Sequence, residues 1–212
     1  MRRKFREPIS GLTHLIGAIL SAAALVGALY AAAGRAGRWR IVSLVIFGLS
    51  LILLYSSSAI YHLIKAGPVI IKNLRRLDHA MVYVLIAGTY TPFCLGPLWG
   101  RLGFWALAAI WSAALLGACF SILWIGAPRW LATSLYLVMG WAIIALAGPL
   151  WQALAPGPLI WLLIGGLLYS LGAVIYVLKR PNPWPGIFGF HEIWHLFVLA
   201  GSISHFVSVI QI

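Results

Sequence analysis

The segment His191-Glu192-Ile193-Trp194-His195 sets two imidazoles four residues apart. On a helix, positions i and i+4 project from one face, so both rings can grip one metal ion. Glu192 then lies about 100° around the helix from His191 and either faces elsewhere or reaches in from the side. Two such histidines also suit a plainer role, bonded to carbonyls or lipid headgroups at a membrane interface. A third neutral imidazole favours the metal, and His62 is the candidate, with Asp78 a short loop later adding a carboxylate. Three protein ligands leave one position open for water, the pattern of catalytic rather than closed structural zinc sites. Ser58 lies one turn before His62 on the same face, where its hydroxyl can bond a water on the metal or a substrate oxygen. The run Ser56-Ser57-Ser58 equally suits small residues that let helices pack closely.

The elements that carry these residues follow from composition. Of 212 residues, 63% are apolar and 8% charged, and mean hydropathy is +1.00. A soluble domain does not have this balance. At roughly 20 apolar residues per crossing, the chain has room for six to eight spans and no separate soluble domain. The apolar runs predict seven helices, near Ile9–Ala33, Trp39–Ile64, Leu77–Leu95, Leu102–Ile125, Trp130–Leu150, Leu159–Leu178 and Phe188–Ile210. Gly, Pro or charge marks each break, and the shortest is Gly126–Arg129. The fold class expected is an all-α seven-transmembrane bundle, one domain over residues 1–212.

The fifteen cations orient it. With the N-terminus inside, Arg2, Arg3, Lys4, Arg6, Lys65, Lys72, Arg75, Arg76, Arg129, Lys179 and Arg180 are cytoplasmic, against Arg35, Arg38, Arg40 and Arg101 outside. This positive-inside bias puts the C-terminus outside the cytoplasm. The +12 net charge thus reads as topology and a match to anionic lipid headgroups, so no nucleic-acid partner is expected. The basic start and Ala31-Ala32-Ala33 imitate a signal peptide, but the apolar run is too long for one and is expected to remain as the first helix. Cys94 and Cys119 lack metal-ligand spacing and are expected to be packing thiols, and Gly165-Gly166 to allow close helix approach.

On this topology the only acids, Glu7, Asp78 and Glu192, gather with His14, His62, His79, His191 and His195 at the cytoplasmic ends of four helices. Ionisable side chains are costly in a membrane and mark sites, so clustering at one depth points to a common pocket. His79 is about 100° around from Asp78 and is expected to meet the loop or interface rather than the same metal. His14 is expected to bond a carboxylate within the bundle. His205, ten residues past His195, lies roughly 15 Å deeper, too far to share an ion, and is expected to face the bundle, hydrogen-bonded or lining a cavity.

Glu7 with Thr13-His14, Ser58-x-x-x-His62, Leu77-Asp78-His79, Gly88-Thr89-Tyr90-Thr91-Pro92 and His191-x-x-x-His195 occur in order along the chain. In these motifs it resembles the hemolysin III branch of the progestin and adipoQ receptor family. The resemblance implies a seven-helix fold with a cytosolic N-terminus, related to adiponectin receptors and more distantly to alkaline ceramidases. It implies zinc held by His62, His191 and His195, Asp78 acting on water carried by the metal, and Ser58 nearby. The short ends resemble bacterial members, which leaves hormone binding without support.

Three functions follow as expectations. The first is a zinc-dependent hydrolase of a lipid amide or ester in the inner (plasma) membrane, with membrane lipids as partners. The second is a membrane-homeostasis or lipid-responsive protein in which zinc staples helices. The third reads His191-Glu192-x-x-His195 as a metalloprotease motif with Glu192 as base, but only His205 lies downstream as a third ligand. A pore-forming toxin would need a soluble form, which a chain this apolar does not offer.

Overall fold

The computed structural model describes residues 5–34 and 37–212. Among these, seven long helices form the fold and no strand occurs beyond one isolated bridge, Trp184 with Phe188. We number them α1 (Pro8–Ala32), α2 (Arg38–Leu63), α3 (Pro68–Leu95), α4 (Arg101–Leu123), α5 (Arg129–Ala153), α6 (Pro156–Leu178) and α7 (Phe190–Ile210). Six of them are long and apolar enough to cross a membrane. The protein is a multi-pass helical membrane bundle. Of the cations counted above, Arg2, Arg3, Lys4 and Arg35 lie outside the described residues.

The helix that is not apolar enough is α3, and its place in the bundle explains why. It packs against α2, α4, α5 and α7, and its buried residues all lie from Ala80 onward, past the exposed first turns. The exposed first turns carry Lys72 and Arg75, with Arg76, Asp78 and His79 beside them, and the buried far end carries Thr89, Thr91 and Pro92. The hydroxyls of Thr89 and Thr91 bond back to the Leu85 and Ala87 carbonyls, which satisfies them inside the bundle.

One predicted break is corrected. The polar stretch Lys65–Arg76 was expected to be a loop, yet α2 ends at Leu63 and α3 begins at Pro68. Proline at the first helical position starts the helix, and long basic side chains resist burial in lipid without resisting helicity. Asp78 therefore sits in the third turn of α3 rather than opening it. The short break at Gly126–Arg129 holds, since α4 stops at Leu123 and α5 starts at Arg129.

Packing relies on small residues, as expected where lipid tails are as apolar as the helices. A Cβ on Gly88 would lie 2.2 Å from Ser50 Oγ, one on Gly117 2.3 Å from the Tyr83 ring and one on Gly165 2.2 Å from the His205 ring. Gly166 is different, because a Cβ there meets Trp141 only at an ordinary 3.5 Å. Cys94 is buried as expected, but Cys119 is exposed on α4 rather than packed in the core.

α5 is the irregular helix. It runs as α-helix to Trp141, as a 3₁₀ turn over Ala142–Leu146, and as α-helix again over Ala147–Ala153. Pro149 supplies the cause, because its ring and missing N–H disrupt the preceding turn. The Tyr90 hydroxyl of α3 meets the Met139 and Gly140 carbonyls at 2.9 Å each where the pattern breaks. Between α5 and the rest lies a cavity of about 510 Å³, running from Arg75, Arg129 and Lys179 at the basic end to Leu150 and Leu159 near the other.

Candidate metal centre

At the basic end, α2 finishes and α7 begins side by side. His62 is the next-to-last residue of α2, and His191 and His195 occupy the first turns of α7. Their ligand atoms all lie within 4.8 Å of one another, and the Nε2 atoms of His62 and His191 are 3.4 Å apart. His62 and His195 are 1% and 2% exposed. Three imidazoles this close, two buried and His191 half-buried, bring their ring nitrogens to face one another. That is the donor chemistry of a three-histidine zinc site with one open position.

The far side of two rings is fixed by the first turn of α1. His62 Nδ1 bonds the Glu7 carboxylate, and His195 Nδ1 meets the Ser10 carbonyl at 3.1 Å. Such contacts set the tautomer, placing the proton on Nδ1 and the lone pair on Nε2. The chain reaches this position because the Glu7 N–H donates to the His62 carbonyl at 2.9 Å, and Gly11 lets α1 lie directly on Leu63. The hydrogen bond from His62 holds the Glu7 carboxyl below its ordinary range, against the opposing effect of burial.

Glu192 does not face the histidine group. Its Oε2 accepts the Gly189 N–H at 2.8 Å, capping α7, and its Oε1 accepts the Ser10 hydroxyl at 2.7 Å. Both oxygens are thus committed to holding α7 and Ser10, which leaves the metalloprotease reading without its base.

Asp78 and Ser58 reach the site from α3 and α2. They interact side chain to side chain, and both line the large cavity together with His191 and His195. Asp78 is not among the three close ligands. It stands beside the group, where a carboxylate can exchange protons with a molecule in the cavity.

The other histidines fall out unevenly. His205 is buried, lines the cavity and uses Nε2 to bond the Leu162 carbonyl at 3.2 Å, as expected. His14 was expected to bond a carboxylate, but neither of its ring nitrogens has a partner. It lies flat on His195, with centroids 3.7 Å apart and planes 13° apart, because Glu7 is already taken by His62. His79 was expected at the loop or interface and instead lines the cavity, since α3 starts early enough to bury this turn.

The sequence reading left Glu7 without a role and passed over Ser10. The signal was available: residues three apart at the entry of a helix share a face, so Glu7 and Ser10 could have been recognised as a pair aimed at one place.

The family model described as "Haemolysin-III related" matches residues 2–206. The chain is 44% identical to the "Hemolysin-3 homolog" of Bacillus subtilis, over 96% of this chain and 92% of that one. It is 40% identical to "Hemolysin-3" of Bacillus cereus, over 96% and 90% respectively. A rice protein named "Heptahelical transmembrane protein ADIPOR2" is 29% identical over 63% of this chain and 65% of its own.

Proposed function

The chain belongs to the haemolysin-III related family, and on that premise we propose that it is a membrane-embedded zinc-dependent hydrolase of a lipid amide or ester. The observation that carries the reading is the three-histidine group opening onto a cavity that also presents Asp78 and Ser58. His62, His191 and His195 would hold the ion. When bound, zinc supplies a Lewis acid that acidifies water and polarises a carbonyl.

The protein's own groups do the rest. Glu7 and the Ser10 carbonyl keep His62 and His195 in the tautomer that presents Nε2. Asp78 takes a proton from the attacking water at its carboxylate and returns it to the leaving oxygen or nitrogen. Ser58 holds the Asp78 carboxylate in place. Water adds its hydroxyl to the acyl carbon and its proton to the leaving group as the acyl bond breaks. The apolar walls, among them Leu85, Phe93, Leu159 and Leu162, accept the acyl chain and exclude bulk water. We place the basic end in the cytoplasm and the protein in the plasma membrane on its cation distribution.

The test is Asp78→Asn, which keeps shape and removes the proton acceptor. The variant should retain zinc and fold while losing about 10²–10⁴-fold in fatty-acid release. A fully active Asp78→Asn protein, or no release from any ceramide or phospholipid by zinc-loaded wild type, would refute hydrolysis.

A second reading has its own observation. The site ties α1, α2 and α7 together through Glu7, Ser10 and the three histidines, so zinc could act as a staple in a membrane-homeostasis protein without turnover. Asp78→Asn then behaves as wild type in cells.

A further inference from the structure

The mouth of the cavity is unusual in its charge. Arg75 of α3, Arg129 at the start of α5 and Lys179 just after α6 all line it. The whole chain has three acids: Glu7 is engaged with His62, Glu192 with Ser10 and Gly189, and Asp78 with Ser58 while also standing near Arg75. Among the described residues, the ion pairs are those of Glu7 with Arg6 and with His62, so none of the three rim cations is in an ion pair, and Asp78 acts at longer range on Arg75 alone of the three. A positive-inside bias explains cations at this end of the bundle. It does not explain three of them, from three helices, on the rim of one apolar cavity.

Arg129 is also fixed in position. Its Nη1 donates to the Tyr176 carbonyl at 3.1 Å, and its guanidinium lies 4.4 Å from the Tyr176 ring centre and 5.1 Å from that of Phe190. Arg75 stands one turn before Asp78 and acts on it electrostatically, as Arg129 does on His191. The rim is therefore close to the hydrolytic groups, on the opposite side of them from the acyl-lined depth.

We propose that the substrate is a glycerophospholipid whose phosphate is held by Arg75, Arg129 and Lys179, an inference that rests on the hydrolase reading. The ester carbonyl next to the glycerol then lies at the histidine group, and one acyl chain runs into the cavity. The step is hydrolysis: the acyl C–O bond breaks, water's hydroxyl goes to the acyl carbon and its proton to the glycerol oxygen, giving a fatty acid and a lysophospholipid. A neutral lipid amide would leave Arg129 and Lys179 without a counter-charge, and a free fatty acid would place its only charge at the histidines. A phosphate offers several acceptor oxygens, which suit the forked donors of arginine.

The test measures binding apart from turnover. Delipidated protein in neutral detergent is incubated with dioleoyl-phosphatidylglycerol or with dioleoylglycerol, and retained lipid is measured by mass spectrometry. Wild type should prefer phosphatidylglycerol by roughly tenfold or more, the value of one charge-assisted contact. Arg75→Gln and Lys179→Gln, at exposed side chains that cannot unfold the bundle, should each reduce that preference, and the triple variant with Arg129→Gln should abolish it. Lys65→Gln with Lys72→Gln and Arg180→Gln removes as much charge from the same end, away from the cavity, and should leave the preference intact. Equal retention of the two lipids, or a preference lost equally in the control, overturns the proposal. Fatty-acid release from the same phosphatidylglycerol and from ceramide separates the two ideas. Ceramide cleaved as fast as phosphatidylglycerol, and unaffected by the rim variants, overturns the headgroup site and upholds hydrolysis. Selective phosphatidylglycerol retention without cleavage of either lipid upholds the headgroup site and overturns hydrolysis.

Discussion

Glu7→Ala should weaken zinc binding although Glu7 is not expected to touch the ion. The carboxylate bonds His62 Nδ1, so its removal frees the ring to turn and to move its proton to Nε2. Loss of such an orienting partner costs roughly 10–100-fold in metal affinity, or about 1.4–2.8 kcal/mol. The Glu7 side chain is 43% exposed, so water can replace part of the lost bond, and the expected change is near the tenfold end. Glu7→Gln keeps an acceptor oxygen without the charge and should fall between alanine and wild type. The assay is competition with a chromophoric chelator on detergent-purified protein, with size-exclusion profiles confirming an intact bundle. If Glu7→Ala binds zinc as tightly as wild type while His62→Ala does not, the Nδ1 contact does not tune the site and the argument from orientation fails.

Three further outcomes follow from the same structure. His62→Ala, His191→Ala and His195→Ala should each lower bound zinc, measured by elemental analysis, because two ligands hold it poorly; His205→Ala should leave it unchanged. A reporter that is active only in the cytoplasm should be silent when fused after Ile212, since an odd number of spans puts that end opposite a cytoplasmic N-terminus. Gly103→Ala should destabilise the bundle by about 1–3 kcal/mol in thermal unfolding, because overpacking here meets rigid groups. Its Cβ would lie 2.2 Å from the Cys94 carbonyl oxygen and 2.3 Å from that of Leu98, and neither backbone group can swing aside.

Much of this molecule was legible before its structure. Apolar runs located seven helices because a bilayer demands about 20 residues per crossing, whatever the tertiary arrangement. His191 and His195 were legible because helical spacing is local, and His62 because it ends a span at the same depth. What failed was what depends on neighbours. The start of α3 was misplaced because Lys72, Arg75 and Arg76 were read as loop, whereas the helix extends beyond its buried part and carries them on exposed turns. Ser10 escaped notice because its contact with His195 runs through the backbone carbonyl, and only its hydroxyl contact with Glu192 and its spacing from Glu7 left a trace in residue type. The stacking of His14 on His195 depends on how α1 meets α7, which no spacing within either helix encodes.

The clamp that Glu7 and Ser10 place on His62 and His195 also fixes an order of assembly. The first turn of α1 leaves the ribosome first, whereas α7, which carries two of the three histidines, arrives after the other six helices. A nascent chain that has inserted α1 and α2 can form the Glu7–His62 contact at once. It holds one imidazole, and a lone imidazole retains no ion. On the zinc reading proposed above, capture of the ion is a late event in biogenesis and would report that the last helix has docked on the first. On the same reading a chain stalled or cut within the segment between α6 and α7 would insert six helices and stay metal-free, so metal content would serve as a readout of completed insertion.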